Sequence, residues 1–339
     1  PCQPTQHDST AVAKPASLVL VDHYSIDAPF YHELKRQHPQ LLLAAIDDLA
    51  NRQLPVDVLL DQNFQAPDLH RGSDLQLSHS DSKSTPAQGD YAQTPWRYQG
   101  LLPAHCLTLI GPHYALLRDE FVQRRQEPTA LTVSPSIRRV LISFGGSDPD
   151  RFTEQVLRAL HALSQQTAEL NGLARCAIDV VVGNAYPDLV ALKALTDGMA
   201  HTTLHIQTQQ MAQLIANADL CIGATGGSTW ERALLGCPTM AYWLAPNQKP
   251  ALEALAQVGA IINAGPAAAF DAAQLQPLLT LLDQPKRQAL ALKARQLMGE
   301  GTGAATVARM LYMLRQSKAL QCQPVTIHDA ELLLTWAND

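Results

Sequence analysis

Two short glycine-bearing segments carry the residue types of an anion site. In Cys221–Gly236 (CIGATGGSTWERALLG) an apolar run, Asp219 to Ile222, gives way to Ala-Thr-Gly-Gly-Ser-Thr, and Glu231 then opens an amphipathic stretch. That order predicts a strand, a small-residue turn and a helix. Such a turn lets a ligand approach the backbone and aims a helix N-terminus at it. The free N–H groups and partial positive charge of that end suit phosphate. Glu231 follows where a carboxylate can accept hydrogen bonds from ribose hydroxyls. Val140–Asp148 (VLISFGGSD) has the same design, an apolar strand broken by Gly145, Gly146, Ser147 and Asp148. Gly226-Gly227 alone would serve an ordinary strand-to-helix turn. Two such loops with Glu231 downstream point to a nucleotide at the carboxyl edge of a parallel sheet.

The elements that position these loops alternate. Leu18–Val21 is a continuous apolar run of the kind found in buried parallel strands, Leu41–Ile46 is a second apolar strand and Val56–Leu60 (VDVLL) a third, each followed by polar residues. Pro29–Gln37 is a helix candidate behind Ser25 and Asp27. Of the adjacent pair Asp47-Asp48, Asp48 is expected to cap a following helix rather than bind metal or move protons. Residues 64–97, rich in Ser, Asp, Gln and Pro, are expected to be a flexible excursion. Leu107–Leu117 restores order, and residues 123–136 read as a link between lobes. Beyond it, strands at Val140–Phe144, Ala177–Val182, Thr202–Ile206, Leu220–Ile222, Thr239–Tyr242 and 260–263 alternate with helical stretches through residue 318. The expectation is an α/β fold of two Rossmann-like, doubly wound parallel-sheet lobes. Residues 1–17 read as a linker, 18–122 as the first lobe, 137–318 as the second and 319–339 as a further linker and tail.

Composition narrows the classes. The 339 residues carry a formal net charge of −6, which argues against a dedicated nucleic-acid binder. A hydrophobic content of 46% suffices for a core, and no apolar run reaches the roughly 20 residues that span a bilayer. The six cysteines, at 2, 106, 176, 221, 237 and 322, form no CxxC pair, as expected of reduced thiols in a cytoplasmic protein. His105 and His113 lack metal-ligand spacing.

The blocks SLVLVDHYSID, AAIDDLANRQLPVDVLLDQN, GPHYALLRDEF, ISFGGSDPDRFT, CIGATGGSTWERALLGCP and APNQ occur in that order. Together, over roughly residues 18–318, they resemble the PseG family, the UDP-2,4-diacetamido-2,4,6-trideoxy-β-L-altropyranose hydrolases of pseudaminic acid biosynthesis. The resemblance implies a GT-B-like architecture. It also implies hydrolysis of the bond between the sugar's anomeric carbon and UDP, with no cofactor or metal and a UDP-sugar as the partner. Gly145, Gly146, Ser147 and Asp148 would lie near the diphosphate. Thr225, Gly227, Ser228 and Thr229 would cradle phosphate, Glu231 would bind ribose, and Asn247 and Gln248 would contact the ligand from the next loop. Tyr24 would face the sugar in the cleft between lobes. A UDP-sugar glycosyltransferase of the same architecture and a non-catalytic nucleotide-sugar-binding module are the alternatives.

The family's first strand is followed by a Gly-x-Gly-His-x-x-Arg loop whose histidine is the proposed general base. These residues hold no such segment. His23 belongs to the Asp-His-Tyr block and, by strand alternation, would point away from Asp22 and Tyr24. The first lobe is therefore expected to be incomplete and hydrolysis by this chain impaired. Pro324–Asp339 (PVTIHDAELLLTWAND) resembles the opening of GNAT-type acetyltransferases such as the PseH family, with Thr326 and Asp329 capping a helix at Ala330–Trp336. A fused downstream acetyltransferase is the corresponding expectation.

Overall fold

Most strands form where Val, Leu, Ile and Ala are concentrated, and the computed structural model describes residues 17–64, 96–127, 131, 133–166 and 176–319. The expected terminal segments, most of the 64–97 excursion and the acetyltransferase-like opening lie outside the described residues. The described chain divides into two compact units. One takes residues 17–59, 96–107 and 307–319; the other takes 60–64 and 108–306.

The first sheet comprises β1 (Leu18–Val21), β2 (Leu42–Ile46), β3 (Val58–Asp61) and β4 (Leu107–Ile110), in that spatial order. The unit boundary passes through β3 and β4. Helix α1 (Ala28–Gln37) joins β1 to β2, which pair in parallel with Leu18 opposite Leu42. Between β2 and β3 there is no helix, contrary to the expected capping role of Asp48. The Asp47 carboxylate instead accepts from Leu49 N and Ala50 N and from Arg52 Nη1 at 2.6 Å, closing a turn. Asp48 accepts from the Tyr24 hydroxyl at 2.7 Å.

Helix α2 (Asp119–Gln126) begins four residues before the expected interlobe link and occupies its start. It falls in the second unit, together with residues 108–118, although the sequence reading assigned 108–122 to the first lobe. The reason is packing. Ala115, Leu117 and Phe121 are buried in the same cluster as Trp230, Leu234 and Ile215.

The second unit alternates regularly through β5 (Arg139–Ser143), α3 (Phe152–Gln166), β6 (Ala177–Val182), α4 (Leu189–Asp197), β7 (Thr202–Ile206), α5 (Met211–Asn217), β8 (Leu220–Ala224) and α6 (Gly227–Leu235). It continues through β9 (Thr239–Trp243), α7 (Lys249–Gln257), β10 (Ile262–Pro266), α8 (Ala272–Thr280) and α9 (Gln284–Met298), and α10 (Gly303–Ala319) starts in it but from Val307 onward falls in the first unit, although the expected second lobe ran to 318. The sheet order is β10-β9-β8-β5-β6-β7, with parallel pairing throughout. The chain starts at the centre on β5, winds out to β7, and returns to β8 on the other flank of β5. This reversal is the switch point beside which open α/β sheets leave a crevice.

Both faces of this sheet are covered. Val140, Ile142, Val180, Ile222 and Met240 pack under α3 and α8. Leu141, Val181, Cys221 and Ala241 alternate to the other face, under α5, α6 and α7. Each fully buried Leu or Ile contributes roughly 1.5–3 kcal/mol. A double-sided apolar sheet is therefore a rigid base for the loops at its edge. Among the described residues no helix is long and apolar enough to cross a membrane.

Candidate functional site

The two glycine loops leave adjacent strands at the switch point. Ser143, the last residue of β5, stands opposite Gly223 of β8. A Cβ on Gly223 would meet the Ser143 carbonyl oxygen at 2.0 Å, so only glycine fits. Gly145 follows with φ +99°, a conformation that also requires glycine. The Gly146 carbonyl accepts from Gly183 N at 3.0 Å, tying the first loop to the end of β6.

Gly145, Gly146 and Ser147 are exposed, and Asp148 is buried. Its carboxylate accepts from Phe152 N at 3.0 Å and Thr153 N at 2.7 Å, so it caps α3 from below the loop. Asp148 and Arg151 both have positive φ, +36° and +58°. Two non-glycine residues in the left-handed region within one loop store strain of the kind that clusters at ligand sites.

The second loop is built from its own side chains. Thr225 is buried, and its N–H and hydroxyl both donate to the Tyr242 carbonyl, at 2.8 and 3.0 Å. Thr229 Oγ1 accepts from Gly226 N at 3.0 Å, while Thr229 N donates to the Gly226 carbonyl at 2.9 Å. The start of α6 is thereby closed on itself. Gly227 is exposed with open space where a Cβ would be, and Ser228 is half-buried. First-turn N–H groups have no partner within a helix. Those of Gly227 and Ser228 are thus the loop's available donors, at the positive end of the α6 dipole.

Glu231 lies one turn further along α6. Burial pushes its carboxyl above the ordinary glutamate range, and the Arg118 guanidinium, 3.5 Å away, pulls it back. The 3₁₀ turn Pro246–Gln248 brings the third loop in. Gln248 Oε1 accepts from Leu244 N at 2.8 Å, and its Nε2 lies 3.9 Å from the position of a Cβ on Gly226. Asn247 is half-buried on the same turn. The second and third loops thus approach each other, and the first loop leaves the neighbouring strand of the same unit.

Tyr24 belongs to the other unit. It sits in a turn beyond β1, so strand alternation does not govern the directions of His23 and Tyr24, contrary to the sequence reading. His23 Nδ1 accepts from Ser25 N at 3.1 Å and stabilises that turn. The Tyr24 hydroxyl is held in its protonated form by partial burial and by its bond to Asp48. Trp230 is 4% exposed within the core. Among the described residues no group of three or more His, Cys, Asp or Glu could hold a metal ion.

One residue escaped the sequence reading. Arg232 is fully buried. Its Nη2 donates to the Ala224 carbonyl at 2.7 Å and to Thr229 Oγ1 at 3.3 Å, and its Nη1 donates to Ser228 Oγ at 3.1 Å. The usable signal was the i, i+4 spacing from Ser228, which places both on one helix face.

No protein-family model matches the chain. Over 155 residues it is 27% identical to the spore coat polysaccharide biosynthesis protein SpsG of Bacillus subtilis, a stretch that is 46% of this chain and 43% of that protein. Over 140 residues it is 29% identical to the uncharacterized protein MJ1062 of Methanocaldococcus jannaschii, 40% of this chain and 27% of that one. The matched part thus spans less than half the length of either relative. Among solved structures, MurG of Acinetobacter baumannii aligns over 85% of this chain and 82% of its own, with a TM-score of 0.50 and 18% identity. At that identity the likeness bears on the fold, and the architecture of this chain is GT-B-like, with two α/β lobes each built on a parallel-type sheet.

Proposed function

We propose that this chain is a nucleotide-sugar enzyme of the glycosyltransferase type. It holds a UDP-sugar by its diphosphate at the switch point of the second sheet and breaks the bond between the anomeric carbon and the diphosphate. The observation that carries this reading is the convergence of two glycine loops and the α6 N-terminus at the carboxyl ends of β5 and β8. As the bond breaks, UDP leaves with the electron pair. The charge gathering on the diphosphate is stabilised by the fixed N–H groups of Gly227 and Ser228 and by the helix dipole. Gly145, Gly146 and Ser147 let the diphosphate approach the first loop, while Asp148, Thr225 and Thr229 hold the loops in shape. Glu231 accepts from the ribose hydroxyls once Arg118 releases it. Asn247 and Gln248 reach the ligand from the third loop. The partial similarity to SpsG, by name a spore coat polysaccharide biosynthesis protein, favours sugar chemistry.

A second reading is hydrolysis, with water in place of the acceptor. The six ordered blocks shared with the PseG family favour it, and the sugar would then be a 2,4-diacetamido-2,4,6-trideoxyhexose. The histidine expected to take the water's proton has no counterpart in these 339 residues. By this reading the chain binds UDP and hydrolyses the sugar nucleotide poorly.

NMR-monitored incubation of UDP-sugars with this chain, with and without sugar acceptors, tests both. An acceptor-linked product supports transfer. Free sugar and UDP without acceptor support hydrolysis. UDP binding with neither product leaves a nucleotide-sugar-binding module, and absence of UDP binding sinks the proposal.

A further inference from the structure

A guanidinium buried as fully as that of Arg232 is costly unless its charge and donors are met. Among the described residues its Nη donors go to the turn around it, namely the Ala224 carbonyl and the hydroxyls of Ser228 and Thr229. The Cys221 thiol also contacts it, and its Nε finds no partner among the described residues. No carboxylate accepts a hydrogen bond from it there. Glu231, the next residue in the chain, feels its charge only at a distance.

The direction of these bonds matters. A guanidinium has donors and no acceptor, so a hydroxyl bonded to it must accept. Ser228 Oγ takes its bond from Arg232 Nη1, which leaves the Ser228 proton free to donate away from the core. Beside it stand the outward N–H groups of Gly227 and Ser228, in space left open by the missing Cβ of Gly227. The result is a cradle of donors with a positive charge beneath it.

We infer that Arg232 is the positioning residue of the phosphate cradle: it turns the Ser228 hydroxyl outward as a donor and supplies a buried positive charge whose counter-charge is the ligand's diphosphate. This rests on the nucleotide reading of the same site and deepens it. The site selects the charged diphosphate, and Arg232 acts on it through Ser228 and through the field without touching it.

The test compares UDP with uridine, which lacks the phosphates, on the full chain and on Arg232→Met, Arg232→Lys and Ser228→Ala. UDP affinity is read by calorimetry and uridine affinity by ligand-observed NMR. Arg232→Met is expected to weaken UDP by about 10- to 100-fold, the range of a charge-assisted hydrogen bond, with uridine unchanged. Arg232→Lys, which keeps the charge, is expected to recover part of the loss. Parallel losses of UDP and uridine with no rescue by Lys would make Arg232 a purely structural residue and overturn the inference. Should Arg232→Met fail to fold, Ser228→Ala decides, because unchanged UDP affinity there also overturns it. If the unaltered chain binds no UDP, the nucleotide reading itself falls and the inference with it. UDP binding that is indifferent to these substitutions removes the inference alone.

Discussion

The guanidinium of Arg118 stands 3.5 Å from Oε1 of Glu231, although the two residues are 113 positions apart. Arg118 also pairs with Glu120 at 2.8 Å, so it is shared between two carboxylates. In this state the carboxylate assigned to ribose is already engaged, and a nucleotide must displace that contact.

Glu231 gives a pH prediction. Its carboxyl is raised above 4.5 by burial, and only the ionised form accepts ribose hydroxyls. UDP affinity should therefore fall as pH drops, starting above 4.5, and Arg118→Ala should move the loss to higher pH. Glu231→Gln should lack this step, and subtracting its profile removes the titration of the UDP phosphates. Stability runs the other way. A folded-state value above the unfolded one gives stability that is full below the unfolded value and lost as pH rises through the folded one. Glu231→Gln should thus gain on the unaltered chain near neutral pH and lose the advantage in acid. Superimposable calorimetric profiles for the two chains would refute the ribose role.

The two loops separate fold from binding. Gly227 has open space at its Cβ position and lies on the first turn of α6, so Gly227→Ala should leave stability unchanged or raise it by about 0.4–1 kcal/mol. The added methyl enters the space assigned to phosphate, and UDP affinity should drop at least tenfold, about 1.4 kcal/mol. Gly145→Ala, at φ +99°, should instead cost roughly 1–3 kcal/mol in urea unfolding.

Gly223→Ala places a Cβ 2.0 Å from a backbone oxygen in the middle of the sheet. Neither partner is a flexible side chain, so the loss should reach the upper end of overpacking, about 3 kcal/mol. Chemical denaturation measures it, and a loss under 1 kcal/mol would show that β5 and β8 can part at their carboxyl ends.

Asp148→Ala removes two bonds to the α3 N-terminus. The expected cost is about 1–2 kcal/mol, with UDP affinity changing little once the loop is folded. A large selective loss of UDP binding at unchanged thermal midpoint would instead place Asp148 against the ligand.

Much of the second lobe was legible in the sequence because each element carries its own period. Ala177–Val182 and Thr202–Ile206 carry the same bounds in the structure, and the other strands expected in this lobe fall within one to three residues of their observed ends. The glycine loops were legible for the same local reason: a strand that ends in small residues before an amphipathic run has few other uses. The first sheet was less so. An apolar run marks a strand, but nothing local distinguishes a helical crossover from the irregular one between β2 and β3, where Asp47 bonds its own turn.

What the sequence determined alone was therefore the set of elements and the two loops, since propensity and hydrophobic period act over a few residues. Tertiary structure decided which groups meet. Strand order set β8 beside β5 and so joined loops some 80 positions apart in the chain. The packing of Phe121 and Leu117 against α5 and α6 carried α2 into the second unit and Arg118 to Glu231. An arginine two residues past a core tryptophan reads as a solvated charge. It became the buried Arg232 because α6 turns that face inward, and the nearby carbonyl and hydroxyls satisfy its donors only once the turn above it has closed.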